Sequence, residues 1–600
     1  MEFKEKIKKY WHWSALIIMA VCFFIGASSY NYFIQADNFI KWSSPDETAN
    51  YNFTKLYAQS GEVKYFEKNN LIAEELIHPR SMRSDGGEVK PVSFLGIILI
   101  FGTIAHFLGF QVIPFLTPFF GALGIIFFFL LINKIFNQKI ALISAFLLTI
   151  FPPYFYYSAR SMFHNVLFMV LLIIGLYFIS CLTKKYEGKK QYLNLFFAFT
   201  AGVFIGLTII TRTSEIIWLL PGLFLVWLFY LRQVGIAKLI LFLAGIFLAI
   251  LPVLYFNQIL YSGIFNSGYT EANIAVSNIT QATTNIAQNA PQGRLLALKE
   301  QLLTIKRNVF YFGFNLAFAK KMFINYTVKM FNWLFWPAIL GLIIFFINFK
   351  KIKKSQLSLI ASWALVSAIL IIYYGSWKFN DNPDPSKFTI GNSYTRYWLP
   401  VYLGLMPFAS YFLLKLARVF FPFADSDSKH LLPFAWAKKH LSLPRVIFLR
   451  AGFVVLTLVL VFSWTSAFTL YGSEEGLFYS AETMRLARDE KNLIQKNTED
   501  NAVIITFYAD KILFPERRVI IGNLNDQNMN AIYAKLANQV PLYYYHFSLK
   551  PADVEYLNNT KFKNLNIQLK LVSKITKSFS LYKFENLHKS ITVPTGSRRQ

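Results

Sequence analysis

The chain has 600 residues, enough for several domains, but 55% of them are hydrophobic and only 15% charged, which excludes an ordinary soluble enzyme. Its formal charge of +28 sits in short Lys/Arg clusters between long apolar runs, with no aromatic–basic stripe, which excludes a nucleic-acid partner. The two cysteines, Cys22 and Cys181, lie within apolar runs far apart in sequence and offer neither a disulfide framework nor a CxxC metal site.

The N-terminal MEFKEKIKKYWHW precedes the charge-free run 14–33, which is too long for the core of a cleaved signal peptide and reads as an anchor. Further apolar segments follow at 93–109, 111–133, 140–157, 163–182, 192–210, 214–231, 239–258, 330–349, 356–374, 397–414 and 451–471. Only a helix satisfies its own backbone hydrogen bonds in hydrocarbon, so each long segment predicts a spanning helix. If all of them spanned, KKYEGKK (184–190) and KKIKK (350–354) would face the side opposite the lysine-rich N-terminus. Laying 93–109 on the outer surface as an interfacial helix brings every basic cluster to one side. This predicts eleven spans, with the N-terminus cytoplasmic and the C-terminus outside, in the cell membrane.

Two outer loops are long, 34–110 and 259–328, and the basic stretch 415–450 lies inside. Within the second outer loop, an uncharged run (272–293) and an amphipathic stretch (295–306) read as a cover or as a passive loop. The tail after 472 differs in kind. Segments 502–507, 518–522, 541–546 and 567–584 read as strands, and 478–497 and 526–538 as helices, which together predict a small outer α/β domain. The division is therefore 1–471, membrane domain, and 472–600, outer domain. No glycine-rich loop follows a strand, so no nucleotide site is marked. The tail's role is acceptor recognition or structural capping.

Candidate chemistry clusters on the outer side. SPDETANYNFTKLYAQSGE (44–62) places Asp46 and Glu47 at the start of an amphipathic helix about a dozen residues beyond the first span. Acidic residues at a helix start are ordinary caps. A carboxylate at that height, however, also reaches both a lipid headgroup and a water-borne acceptor. His78, Arg80, Arg83 and Lys90 follow in the same loop, the cations being phosphate-holding candidates or solvated loop charges. YYSARSMFHNV (156–166) puts Arg160 and His164 at an outer boundary, and TRTSE (211–215) does the same for Arg212 and Glu215, as a functional pair or an ion pair stiffening the turn. GNSYTRYWLPVY (391–402) places Arg396 among Tyr394, Tyr397 and Trp398, and a guanidinium fork matches phosphate oxygens two at a time. His78, His106 and His164 are not spaced as metal ligands, so no metal is assigned, a divalent ion being the one cofactor left open. No GxSxG, HExxH or Cys/His pair occurs in an outer loop.

Taken together, SPDETANYNFTKLYAQSGE, KPVSFLGIILIFG, ARSMFHNVLFMVLLIIGLYF, GLTIITRTSEIIWLLPG and NSYTRYWLP, in this order over about 45–415, resemble the GT-C superfamily of polyprenyl-phosphate-sugar-dependent glycosyltransferases. The likeness is to its protein mannosyltransferase and lipid A aminoarabinose transferase branch. The resemblance implies a catalytic carboxylate at Asp46 with Glu47 beside it. It also implies an RYxLP element at Arg396, Tyr397, Leu399 and Pro400, and first-loop helices lying flat on the membrane. Where the family often carries an acidic residue after the arginine of the turn before the fourth span, this chain has His164-Asn165. The expected function is inverting transfer of a sugar, a hexose or pentose, from a polyprenyl-phosphate donor to a hydroxyl of a protein, lipid or polysaccharide acceptor outside the membrane. Asp46 would be the base, Glu47 its support, and Arg396, Arg160 and Arg212 the phosphate-binding set. Tyr397, His78, Arg80, His164 and Glu215 are candidate substrate contacts. The alternatives are a transporter or flippase of lipid-linked sugars, and an anchor for the outer domain. Charges at the outer boundary and the lack of repeated halves argue against a transporter.

Overall fold

A computed structural model of the chain describes residues 2–35, 40–182, 191–269, 313–347, 352–379, 381, 389–422, 443–472 and 475–587. Among these, nine helices are long and apolar enough to cross a bilayer, and the number reaches eleven if each of two bent helix pairs is one span. They coincide segment by segment with the eleven spans expected from hydropathy, and the chain is an integral membrane protein. Leu95–Leu108, the segment demoted by the charge argument, is a helix of only 14 residues. At 1.5 Å per residue it reaches about 21 Å, short of the roughly 30 Å of a hydrocarbon core. The runs 272–293, 295–306 and 184–190 and most of 415–450 lie outside the described residues.

The breaks have local causes. Helices Gln138–Thr149 and Pro152–Arg160 meet at 51°. Pro152 and Pro153 remove two backbone donors there and push Phe151 out of the helical region, to φ −70° and ψ 117°. The helical run Ile216–Tyr261 is two spans joined at Gly235, whose φ of 68° and ψ of 164° belong to a region that side chains exclude. A single glycine therefore turns the chain between spans.

Packing divides the chain into two units. The first comprises Met1–Asn31, Phe115–Leu251 and Gln281–Tyr479 and contains most of the spanning helices. Its core is rich in buried aromatics, among them Phe151, Tyr154, Tyr157, Trp398 and Tyr402.

The second unit comprises Tyr32–Pro114, Pro252–Thr280 and Ser480–Gln600, so the first long loop and the tail fold together. Its loop part contains helix Pro45–Ser60, the short helix Leu95–Leu108 and a small antiparallel sheet of β1 (Tyr65–Phe66), β2 (Met82–Asp85) and β3 (Glu88–Pro91) in the order β1-β3-β2. The tail part is a five-stranded sheet of β4 (Val503–Thr506), β5 (Arg518–Ile521), β6 (Leu542–Phe547), β7 (Ile567–Lys574) and β8 (Phe579–Asn586). Its order is β5-β4-β6-β8-β7; β4 runs parallel to β5 and β6, while β8 runs antiparallel to β6 and β7. Ala73 and Ile77 of the loop are buried in one core with Val503, Ile505, Ile520 and Leu542 of the sheet. Ile77 also forms an antiparallel bridge to Ile520, covering part of the edge that β5 would otherwise expose.

Candidate functional site

The acidic pair divides its labour. Ser44 is the N-cap of helix Pro45–Ser60, and Pro45 occupies the first turn, where a missing N–H costs nothing. The Asp46 N–H donates to Ser44 Oγ at 3.3 Å, while the Ser44 N–H donates to Glu47 Oε2 at 2.9 Å, a reciprocal capping box. Glu47 is fully buried and serves as the cap. Asp46 is only partly buried, and its Oδ1 accepts a short hydrogen bond from Ser81 Oγ. Ser81 lies 35 residues further on, at φ 64°, a conformation unusual for a residue with a Cβ.

Other loop candidates have structural partners. Arg80 forks onto Asp510 at 2.6 and 3.2 Å, and its backbone N–H donates to the same carboxylate at 2.9 Å. Lys90 is buried, donating to the Leu260 carbonyl at 2.6 Å with Asp85 at 3.3 Å. His78 lies with Nδ1 3.0 Å from the Pro79 carbonyl oxygen, and burial lowers its pKa below the usual imidazole value. His106 Nδ1 sits 2.9 Å from the Ala58 carbonyl. Lys41 pairs with Glu516 at 2.6 Å, and burial pushes its amine down to about 8 in spite of that carboxylate. Among the described residues, no group of three or more His, Cys, Asp or Glu is arranged to hold a metal ion.

In the first unit, three arginines from three separate sequence motifs converge on one run of aromatic rings. Arg160 ends helix Pro152–Arg160; its Nη1 donates to Tyr156 Oη at 3.0 Å, and its guanidinium lies 5.2 Å from the centre of the Phe163 ring. The chain then passes through Ser161 (φ 60°) and Met162 (φ 54°), two consecutive left-handed residues that place Phe163 beside that guanidinium. Arg396 sits against the same ring at 4.7 Å and against Tyr397 at 5.1 Å. Arg212 lies 4.6 Å from the Tyr397 ring. Phe163 thus joins Arg160 to Arg396, and Tyr397 joins Arg396 to Arg212. Tyr397 in turn stacks on Tyr374, with ring centres 4.4 Å apart. His164 is buried in the first turn of helix His164–Cys181, and Asn165 Nδ2 donates to the Arg396 carbonyl at 3.4 Å.

The charges of Arg212 and Arg396 differ in how they are balanced. Arg212 grips Glu215 at 2.8 Å, and Glu215 also accepts from Tyr374 Oη at 2.6 Å and from the Trp218 indole N–H. Arg396 donates to Ser393 Oγ at 2.8 Å and faces the Asp381 carboxylate at 3.7 Å, beyond hydrogen-bonding distance. An apolar cavity of about 530 Å³ opens between the helices of this unit. Trp218, the partner of Glu215, is in its wall, as is Pro400, four residues beyond Arg396.

Sequence motifs marked the arginines, Asp46, Tyr397 and His164. Several contributors carried no signal. Ser81 and Phe163 are unremarkable in sequence, and Asp510 lies 430 residues from the arginine it binds. Positive φ at Ser81, Ser161 and Met162 cannot be read from residues that do not favour it.

Residues 89–256 match the family model of the dolichyl-phosphate-mannose-protein mannosyltransferases. No curated protein matches the chain by sequence. Among solved structures, an oligosaccharyltransferase of Archaeoglobus fulgidus, crystallised with a tethered acceptor peptide, is similar at 16% identity and a TM-score of 0.53, over 90% of this chain and 69% of that one. ArnT of Cupriavidus metallidurans in its apo state is similar at 12% identity and a TM-score of 0.52, over 94% of this chain and 97% of that one. At such identities the likeness is one of fold: this is an integral membrane protein with a GT-C-like fold.

Proposed function

We propose that the chain is an inverting glycosyltransferase that moves a sugar from a polyprenyl-phosphate donor to an acceptor hydroxyl on the non-cytoplasmic face of the membrane. The observation that carries this reading is the convergence of Arg160, Arg396 and Arg212 on Phe163 and Tyr397. Arg160 and Arg212 are buried and Arg396 is half-buried, and arginines gathered in this way at the ends of spans usually pair or serve function. A phosphate at the head of a lipid matches both their charge and the apolar cavity bounded by Trp218 and Pro400.

In this mechanism Asp46 accepts the proton of the acceptor hydroxyl as its oxygen attacks the anomeric carbon. The carbon–oxygen bond to phosphate breaks, and the electron pair leaves with the polyprenyl phosphate. The negative charge growing on that phosphate is what the arginines stabilise. General-base assistance is worth about 10²–10⁴-fold. Glu47, held in the capping box, fixes the start of the helix that presents Asp46. The family match over residues 89–256 favours a mannosyl donor and a protein hydroxyl as acceptor. The test is transfer from the extracted lipid-linked sugars of the native membranes to the native acceptors, with mass analysis of the product. Asp46→Asn should retain folding and lose transfer; full activity in that variant would sink the assignment.

A further inference from the structure

We propose that segment 510–516, in the connection between β4 and β5 of the tail, is a clamp that positions the Asp46 carboxylate, making Asp510, Arg80 and Ser81 positioning residues for the reaction. This rests on the reading of Asp46 as the base. The clamp holds the Asp46 helix from both sides.

On the N-terminal side, the chain entering the helix is tied twice. Lys511 Nζ donates to the Ser43 carbonyl, the residue before the N-cap. Lys41 Nζ donates to the Phe514 carbonyl and pairs with Glu516 at 2.6 Å. On the other side, Asp510 is fully buried, and its two oxygens take both the side chain and the backbone N–H of Arg80. A carboxylate that binds a residue through its side chain and its backbone together fixes that residue's peptide plane, and not merely its charge.

The next residue, Ser81, is the one that donates to Asp46. Its φ of 64° is a left-handed conformation that a serine adopts only when its surroundings impose it. Here the imposition comes from the Asp510 fork behind it. Ahead of it, the Val92 N–H donates to the Ser81 carbonyl at 3.2 Å. The hydroxyl is thereby aimed at one oxygen of Asp46. Were the elbow only a turn into β2, glycine would suit it at least as well, and the hydroxyl would be dispensable. Were the tail only a cap, its segment 510–516 would have no reason to contact both the residues before Asp46 and the residue that orders its carboxylate.

The experiment measures initial transfer rates of the full-length protein in detergent or vesicles, with the lipid-linked sugars extracted from the native membranes as donor and thermal unfolding followed in parallel. Ser81→Gly suits the left-handed elbow and removes the side chain with its hydroxyl. It should lower kcat roughly 10- to 100-fold, the range for a misoriented catalytic group, with donor KM and unfolding temperature unchanged. Asp510→Asn should lower kcat in the same way, and the double variant should fall no further than the worse single one, because both act through the same hydroxyl. If Asp510→Asn does not fold, Ser81→Gly decides alone. Wild-type kcat in Ser81→Gly while Asp46→Asn is inactive overturns the clamp and leaves the base assignment standing. Wild-type activity in Asp46→Asn removes the base assignment and the clamp with it. A rise in donor KM with unchanged kcat in Ser81→Gly also overturns the proposal, since it would put Ser81 in donor binding and not in orienting the base.

Discussion

Removing Arg396 should cost donor recognition, because its guanidinium stands between the other two, sharing Phe163 with Arg160 and Tyr397 with Arg212. Arg212 has its Nε 2.8 Å from Glu215, whereas Arg396 meets Asp381 at 3.7 Å. Asp381 is also 35% exposed, so water screens what attraction remains. A charge-assisted hydrogen bond to a bound phosphate is worth about 1.5–3 kcal/mol. At about 1.4 kcal/mol per factor of ten, losing it lowers kcat/KM for the donor roughly 10- to 100-fold. Arg396→Lys keeps the charge without the planar fork and should fall between wild type and Arg396→Gln. The assay is initial rate against concentration of the extracted lipid donor, with unfolding temperature measured for each variant. The ring contacts to Phe163 and Tyr397 are lost in the glutamine variant, so some loss of stability is expected there. The reasoning fails if Arg396→Gln folds and uses donor with the wild-type kcat/KM, or if lysine is as poor as glutamine.

Three further outcomes follow from the same geometry. Arg212→Leu strands Glu215, which is 3% exposed, and should destabilise by about 3–5 kcal/mol, softened by the bonds Glu215 keeps to Tyr374 and Trp218; adding Glu215→Leu should recover most of the loss in thermal unfolding. Lys41, 2% exposed, has its amine pushed down to about 8 from 10.5, so between those two pH values the unfolded chain binds the proton that the folded chain has released. Stability of the wild type should therefore rise with pH across that window, by at most about 3 kcal/mol, and Lys41→Met should flatten the rise in denaturation measured from pH 7.5 to 10.5. Gly235→Ala meets no atom within 4 Å, so its cost is purely conformational. It should amount to about 1–3 kcal/mol, read as a lower unfolding temperature with donor KM unchanged.

Much of the architecture was legible because a bilayer leaves the chain few choices. Long charge-free runs must be helices, and the placement of lysines decided that 93–109 does not cross, in agreement with its 14-residue helix. The tail was legible for a different reason: β-rich segments alternating with helical ones predicted strands near their observed positions, although 567–584, read only as strand, folds as the antiparallel pair β7 and β8, which runs on to Asn586. The candidate residues were legible wherever a charge stood against its surroundings, as Arg160, Arg212 and Arg396 do at apolar boundaries. Asp46 and Glu47 looked alike in sequence. The capping box separates them, because Glu47, three residues after Ser44, is the one whose side chain can turn back to the N-cap N–H.

Composition, hydropathy and charge thus determined by themselves that this chain lives in a membrane, which segments are apolar enough to cross it, and which charged residues had to have a reason for being there. Those properties are local, and the bilayer reads them one segment at a time. The tertiary structure alone decided which charges meet: that three arginines share Phe163 and Tyr397, that Arg80 belongs to Asp510, and that the tail sheet takes Ile77 into its core. Such pairings join residues tens to hundreds of positions apart through rings, strained turns and buried carboxylates, and no periodicity or spacing along the chain encodes them.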